Sequence, residues 1–287
     1  MPPEGIRIVC ISDTHNATPP VEEGDILLHA GDLSNGGTLR ELQNQLDWIA
    51  SLPHKHKVVV GGNHDMLLDP DFVAARGLRF TPGGTADELN WHDIHYLCNE
   101  SLELDLPQGK VRIFGSPNTP APRGIKGAFQ HDPELDLWTN RVPDGTDLLL
   151  VHGPPRGYLD QGGKGCPHLL REIQRVKPKI VVFGHIHQGR GTRAVSLSER
   201  PREPAPLRAA SAQRRDSQAS LMGGLRRRLS HVFSSHPAPS PPQPTKEPTE
   251  PEQEEEKVTM VNAAVHWFPD PYEAARQETK EGYVVYL

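Results

Sequence analysis

The chain reads as a mixed α/β fold in which mixed β-sheets are sandwiched by helices. Three observations carry that expectation. Short β-branched runs stop at Gly, Asp, Asn or His, as strands covered on both faces do. Helical periodicity fills the space between some of them. A middle stretch holds closely spaced strands with no helix between, which adds antiparallel pairing.

In order, Ile6 to Ile11, Ile26 to Ala30, Lys57 to Val60, Leu148 to Val151 and Ile180 to Phe183 read as buried strands. Between the second and third, Leu39, Leu42, Leu46 and Ile49 recur at three- and four-residue spacing. That spacing predicts a helix with Thr38 as N-cap and Glu41 as its capping-box partner. A second helix is expected over Pro167 to Val176, ending before Pro178. Tyr96 to Cys98, Leu102 to Leu104 and Val111 to Phe114 suggest an antiparallel meander, and Pro117 to Gly127 holds too many Pro and Gly for regular structure. This last stretch is expected to be a surface loop near the site. The runs Val258 to Val265 and Tyr283 to Leu287 read as the final strands.

From about Thr192 to Lys257 apolar runs vanish, giving way to Arg and Ser, then Pro, then Glu254 to Glu256. Such a composition cannot bury enough surface to offset chain entropy, so residues 192–257 are expected to be a disordered insertion. It divides a domain made of residues 1–191 and 258–287. Long loops are tolerated because closure entropy grows only logarithmically with length.

The chain has 287 residues, enough for one large or two small domains, but a hydrophobic content of 35% and 29 prolines imply that part stays outside the core. A net charge of -6 argues against general nucleic-acid binding. Cys10, Cys98 and Cys166 are few and unpatterned, which suits free thiols in a reducing compartment. The first apolar run is too short for a signal segment, and none approaches the ~20 residues of a membrane span. An intracellular, cytoplasmic protein is expected.

Five polar clusters end apolar runs: Asp13-Thr14-His15, Gly31-Asp32, Gly62-Asn63-His64-Asp65, Val151-His152-Gly153 and Gly184-His185-Ile186-His187. If the strands run the same way, these clusters gather at one sheet edge, where ligands bind in such sheets. Carboxylates, an amide carbonyl and imidazoles suit divalent ions such as Mn²⁺, Fe²⁺ or Zn²⁺. Asp13 and His15, two apart, share one face if the backbone is extended. Each histidine alone reads equally as a surface or core residue, and His29, His54, His56 and His95 keep that reading.

In their order and grammar these motifs resemble the calcineurin-like metallophosphoesterase family, with its D-x-H, GD, GNH[DE], H and GHxH motifs. The likeness covers residues 6–191 and, through Val261-Asn262-Ala263-Ala264, the last segment, and it points to the small metallophosphoesterase-domain proteins. It implies a four-layer αββα fold and two divalent metal ions. Asp13, His15 and His187 would hold one ion, Asn63, His152 and His185 the other, with Asp32 bridging. A bridging hydroxide would attack phosphorus in line, with His64 stabilising the transition state or protonating the leaving oxygen. Asp65 is expected to support its loop.

The likeness departs from the family's protein phosphatases, which extend the second motif to GDxxDRG. Here Gly31 to Gly37 places Asn35 where those enzymes carry the Asp that orients the catalytic histidine, and no Arg follows. A phosphodiester, or a small phosphoester such as a nucleotide, is therefore expected ahead of a phosphoprotein. The competing reading is a low-turnover nucleotide- or phosphate-binding scaffold with a regulatory insertion. Asn118 and Arg156 either line the substrate pocket or belong to surface loops. Ser230, after Arg226-Arg227-Arg228-Leu229, fits a basophilic kinase site, although such motifs recur by chance, and Leu221 to Phe233 fits a short basic amphipathic helix.

Overall fold

Alternation within each short apolar run decides which layer every side chain enters. The computed structural model of the chain describes residues 5–77, 80–121, 127–197, 257–265 and 282–287. In chain order its strands and helices are β1 (Arg7–Ile11), β2 (Ile26–His29), α1 (Leu39–Ser51), β3 (His56–Val59), α2 (Pro70–Arg76), β4 (Ile94–Tyr96), β5 (Glu100–Leu106), β6 (Gly109–Ser116), β7 (Thr119–Pro120) and β8 (Gln130–His131). They continue with β9 (Leu148–Val151), α3 (Pro167–Val176), β10 (Ile180–Phe183), β11 (Gly191–Ser196), β12 (Lys257–Asn262) and β13 (Tyr283–Tyr286).

The first sheet has the order β13-β1-β2-β3-β4 and the second β11-β12-β10-β9-β6-β5. β1 to β4 run parallel with β13 antiparallel at one edge. In the second sheet β12, β10, β9 and β6 are parallel, flanked by antiparallel β11 and β5. Ile8, Cys10, Leu28 and Val58 meet Ile113, Leu148, Leu150 and Val182 in a core between the sheets. The alternate residues Val9, Ile11, Leu27 and Val59 face Leu42, Leu46 and Ile49 of α1. Leu149, Val181, Phe183 and Met260 face Leu169, Leu170 and Ile173 of α3. Helix, sheet, sheet and helix thus form four layers, the fold class expected from the sequence. Among the described residues no helix is long and apolar enough to cross a membrane.

Helix α1 starts at the capping box read from the sequence. Thr38 Oγ1 accepts from the Glu41 amide at 3.3 Å, and Glu41 Oε2 accepts from the Thr38 amide at 3.1 Å. The cap contributes about 1 kcal/mol, and burying each of Leu42, Leu46 and Ile49 about 1.5–3 kcal/mol. Glu41 Oε1 also accepts from Asn16 Nδ2 at 2.8 Å, tying the helix start to the loop after His15.

Two elements differ from the sequence expectation. Ile94 to Gly115 is not one meander: β4 lies parallel to β3, and only β5 and β6 form an antiparallel pair. The chain changes sheets at Asn99, whose φ of 61° makes the turn, and at Gly115 an added Cβ would lie 2.4 Å from Leu97 Cβ. Short strands of similar composition carry no mark of the sheet they join. The second difference is at β11, which continues through Ser196, past the composition change at Thr192. It pairs with β12 from Gly191↔Asn262 to Ser196↔Lys257, and as a largely exposed edge strand it needs no apolar run. Residues 198–256, on which the expected disorder, the Ser230 site and the Leu221 to Phe233 helix fall, lie outside the described residues.

Candidate metal centre

All five polar clusters follow the C-terminal ends of parallel strands: β1, β2, β3, β9 and β10. The backbone there is not extended. Asp13, His15, Asn16, Asp32 and His185 have φ of 56°, 47°, 69°, 54° and 64°. Left-handed residues of this kind cost on the order of 1 kcal/mol or more each and persist where the surroundings fix them. The shared face expected of Asp13 and His15 from extended geometry is therefore reached by a different route, a left-handed turn. Gly31, Gly62 and Gly184 leave room for it. At Gly184 a Cβ would lie 2.0 Å from Asp13 Oδ2, and at Gly62 2.3 Å from Asp32 Oδ1.

The side chains converge into three groups of potential ligands, each with its ligand atoms within 4.8 Å: Asp13, His15 and His187; His15, Asp32 and His64; Asp32, His152 and His185. Asp32 Oδ2 lies 3.4 Å from His152 Nε2 and 3.8 Å from His15 Nε2. Asp13 Oδ1 is 3.1 Å from His187 Nε2, and its carboxylate accepts from the His185 amide. Asn63 Oδ1 sits 3.0 Å from His152 Nε2. The rings of His15 and His64 meet edge to face at 4.9 Å.

Backbone carbonyls set which ring nitrogen faces inward. His152 Nδ1 lies 2.8 Å from Ala30 O and His15 Nδ1 3.3 Å from Ser34 O. A carbonyl only accepts, so each Nδ1 carries a proton and Nε2 is the nitrogen turned into the site, the orientation metal-ligating histidines use. His64 Nδ1 likewise donates to the Asn35 carbonyl at 2.8 Å. The Asn35 side chain, placed by sequence where the phosphatases carry an Asp, instead donates from Nδ2 to His15 O at 3.0 Å. It is the backbone of Asn35 that orients His64, a role no residue type reveals.

Asp65 occupies no ligand group. Its carboxylate accepts from the amides of Leu33, Ser34 and Gly62 at 3.1, 2.9 and 2.9 Å and from Ser34 Oγ at 2.8 Å, bracing the loops that carry Asp32 and Asn63. Burial, with the Asp32 charge nearby, raises its pKa to about 6. His29 braces the same region. Gly31 N donates to its Nδ1 at 3.2 Å, so Nε2 donates to Thr14 Oγ1 at 3.0 Å, which in turn reaches Gln45 Oε1 at 3.1 Å.

Burial opposes the ionised form of Asp32, yet His152 and then His15 hold its carboxyl well below the usual carboxylate range. Against the same burial, the hydrogen bond and charge of His187 lower Asp13 to about 2. His152 rises to about 9, burial being outweighed by the Asp32 charge and hydrogen bond, and His187 is also raised, by Asp13. Burial lowers His15, and it lowers His185 to about 4. Without metal, the two buried carboxylates thus favour the protonated forms of His152 and His187, while burial favours the neutral forms of His15 and His185. Divalent ions replacing the protons would satisfy the same carboxylates, so the donor set fits a metal centre.

Asn118 and Arg156 lie on turns beside this edge. Asn118 Nδ2 donates to Asn99 Oδ1 at 3.0 Å, in the loop after β6, whose last residue pairs with Val151 before His152. Arg156 is exposed, with its amide bonded to Cys166 O at 3.1 Å.

The calcineurin-like phosphoesterase family model matches residues 6–189, and the chain belongs to that family. A protein named probable rhamnogalacturonate lyase C from Emericella nidulans is 42% identical over 194 residues, 66% of this chain and 18% of that protein. Metallophosphoesterase domain-containing protein 1 from Homo sapiens is 36% identical over 216 residues, covering 67% of this chain and 64% of that protein. A 3',5'-cyclic-nucleotide phosphodiesterase from Nostoc sp. is 28% identical over 172 residues, 58% of this chain and 57% of its own length. The chain thus spans less than two thirds of each of these relatives.

Proposed function

We propose that this protein is a binuclear metal-dependent phosphoric ester hydrolase that cleaves a small phosphodiester. The observation that carries the reading is the fully buried Asp32 between His15 and His152, with a ligand group on either side. Asp13, His15 and His187 would hold one divalent ion and Asn63, His152 and His185 the other, with Asp32 shared. When bound, two such ions, of Mn²⁺, Fe²⁺ or Zn²⁺, supply an activated water and positive charge for in-line displacement at phosphorus. The chain's own groups do the rest. Carbonyls of Ala30 and Ser34 aim the imidazoles, and Gly62 and Gly184 let the ligand-bearing loops approach one another closely. His64, held through Nδ1 by Asn35 O, would give the Nε2 proton of its imidazolium form to the leaving oxygen.

The diester preference rests on charge. In the second motif Asn35 and Gly36 stand where the family's protein phosphatases carry an Asp and the Arg that binds phosphate, so that loop offers no guanidinium to clamp a monoester dianion. The cyclic-nucleotide activity named for the Nostoc relative agrees with that preference. Because β11 and β12 both belong to the second sheet, residues 1–196 and 257–287 would form the hydrolase domain, with 197–256 inserted between them. The free Cys10, Cys98 and Cys166 suit a reducing, cytoplasmic setting. A phosphate-binding scaffold of low turnover is the second reading, favoured by the carbonyl at Asn35, which stabilises an imidazolium less than a carboxylate does.

The test is hydrolysis of a bis-aryl phosphodiester by Mn²⁺-loaded protein. Asp32→Ala is expected to reduce turnover to background. Wild-type turnover in that variant would overturn the assignment of the bridge, and full metal content without hydrolysis would favour the scaffold.

A further inference from the structure

The loop carrying His185 and His187 is closed by residues beyond the family match, which ends at residue 189. Asn262, the last residue of β12, is fully buried and pairs with Phe183, one residue before that loop. Its Nδ2 donates to Ile186 O at 2.9 Å and Leu159 O at 3.1 Å, while Oδ1 accepts from Ala264 N at 3.3 Å. Ile186 separates the two histidines, so a bond to its carbonyl fixes the peptide plane between them. The fit is tight: a Cβ on Gly189 would lie 2.9 Å from Asn262 Nδ2 and 1.9 Å from Leu159 O.

The following residues reach the other half of the site. Ala264 bridges to Ser12, and Val265 N donates to Ser12 O at 2.9 Å, directly before Asp13. Arg190 closes the loop from its far end. Its Nε donates to Ala264 O and its Nη1 to Tyr283 Oη, both at 2.8 Å, and its guanidinium lies 4.4 Å above the Tyr283 ring. Residues 262–265 therefore contact both the strand end leading into Asp13 and the His185–His187 loop.

We propose that Asn262, with Arg190, is a positioning residue that sets the separation of the Asp13 and His185–His187 loops and so allows two ions to bind side by side. The inference rests on the binuclear reading of the site. Outer partners of metal ligands typically change metal affinity by roughly 10- to 100-fold. The two donated bonds make Asn262→Asp the sharpest probe, since a carboxylate of the same shape would face two carbonyl oxygens it cannot serve.

The experiment loads chelator-stripped full-length chain with Mn²⁺ and records ion stoichiometry, the electron paramagnetic resonance spectrum, and melting temperature with and without Mn²⁺. Wild type is expected to bind two ions with a spin-coupled spectrum. Asn262→Asp should bind the second ion roughly 10- to 100-fold more weakly, lose the coupled signal and lose most of the Mn²⁺-induced rise in melting temperature. Arg190→Gln should move the same readouts in the same direction, less far, and it decides the matter if Asn262→Asp does not fold. A folded variant that lowers only the metal-free melting temperature, with the coupled spectrum intact, would show a structural role and overturn the inference. A wild type with no coupled signal would instead overturn the binuclear reading on which it rests.

Discussion

The first sheet presents Asp13, His15, Asp32, Asn63 and His64 to the site, and the second presents His152, His185 and His187. The first sheet's loops are braced from within. Asp65 gathers the amides of Leu33, Ser34 and Gly62, and His15 leans on the Ser34 carbonyl. The second sheet's ligands are braced from across the gap: the His152 ring by Ala30 O, the His187 ring by the Asp13 carboxylate, and the His185 backbone amide by that same carboxylate. The first sheet therefore acts as the template, and the second supplies donors that take their places against it. Losses on the two sides should be unequal.

The largest effect is expected at Asp13. Asp13→Ala removes a ligand and the support of two histidines, so both ions should be lost and turnover should fall by several kcal/mol, roughly 1,000-fold. His185→Ala should cost only one ion. Equal metal loss in the two variants, measured by elemental analysis, would break the proposed asymmetry. Next is Asp65→Ala, which strands three amides. At about 1–3 kcal/mol each, the loss of stability in urea unfolding should be roughly 3 kcal/mol or more. A loss under 1 kcal/mol would mean that the template is not braced there.

A pH measurement sharpens the same point. Burial lowers His29 from 6.5 to about 4, so the unfolded chain binds its proton first as pH falls. Stability from neutral His29 is present above pH 6.5 and is lost as pH drops toward 4, by up to about 3 kcal/mol. His29→Gln should flatten that part of the stability profile, and an unchanged slope would remove His29 from the account. The smallest effect is at the helix behind the first sheet, where Thr38→Ala should cost about 1 kcal/mol with metal content unchanged.

Much of this was legible in the residues. Apolar runs located β1, β2, β3, β9 and β10, and leucine spacing with Thr38 and Glu41 located α1, because burial and capping leave local marks. The five polar clusters were legible for the same reason, each ending such a run. The sheet joined by β4 was not, since parallel and antiparallel partners use the same residues. Nor were the carbonyls of Ala30, Ser34 and Asn35, which any residue supplies. Gln45 on a buried helix face and Asn262 at the end of an apolar run were visible as polar exceptions, but their partners lie 31 and 76 residues away in sequence.

The central claim is that both sheet edges together hold one binuclear centre. Its most direct test is the Mn²⁺ stoichiometry of the chelator-stripped full-length chain by equilibrium dialysis. Two ions per chain for wild type, falling below one in Asp32→Ala, is the result expected. One ion or none in wild type, or two retained in Asp32→Ala, would contradict it.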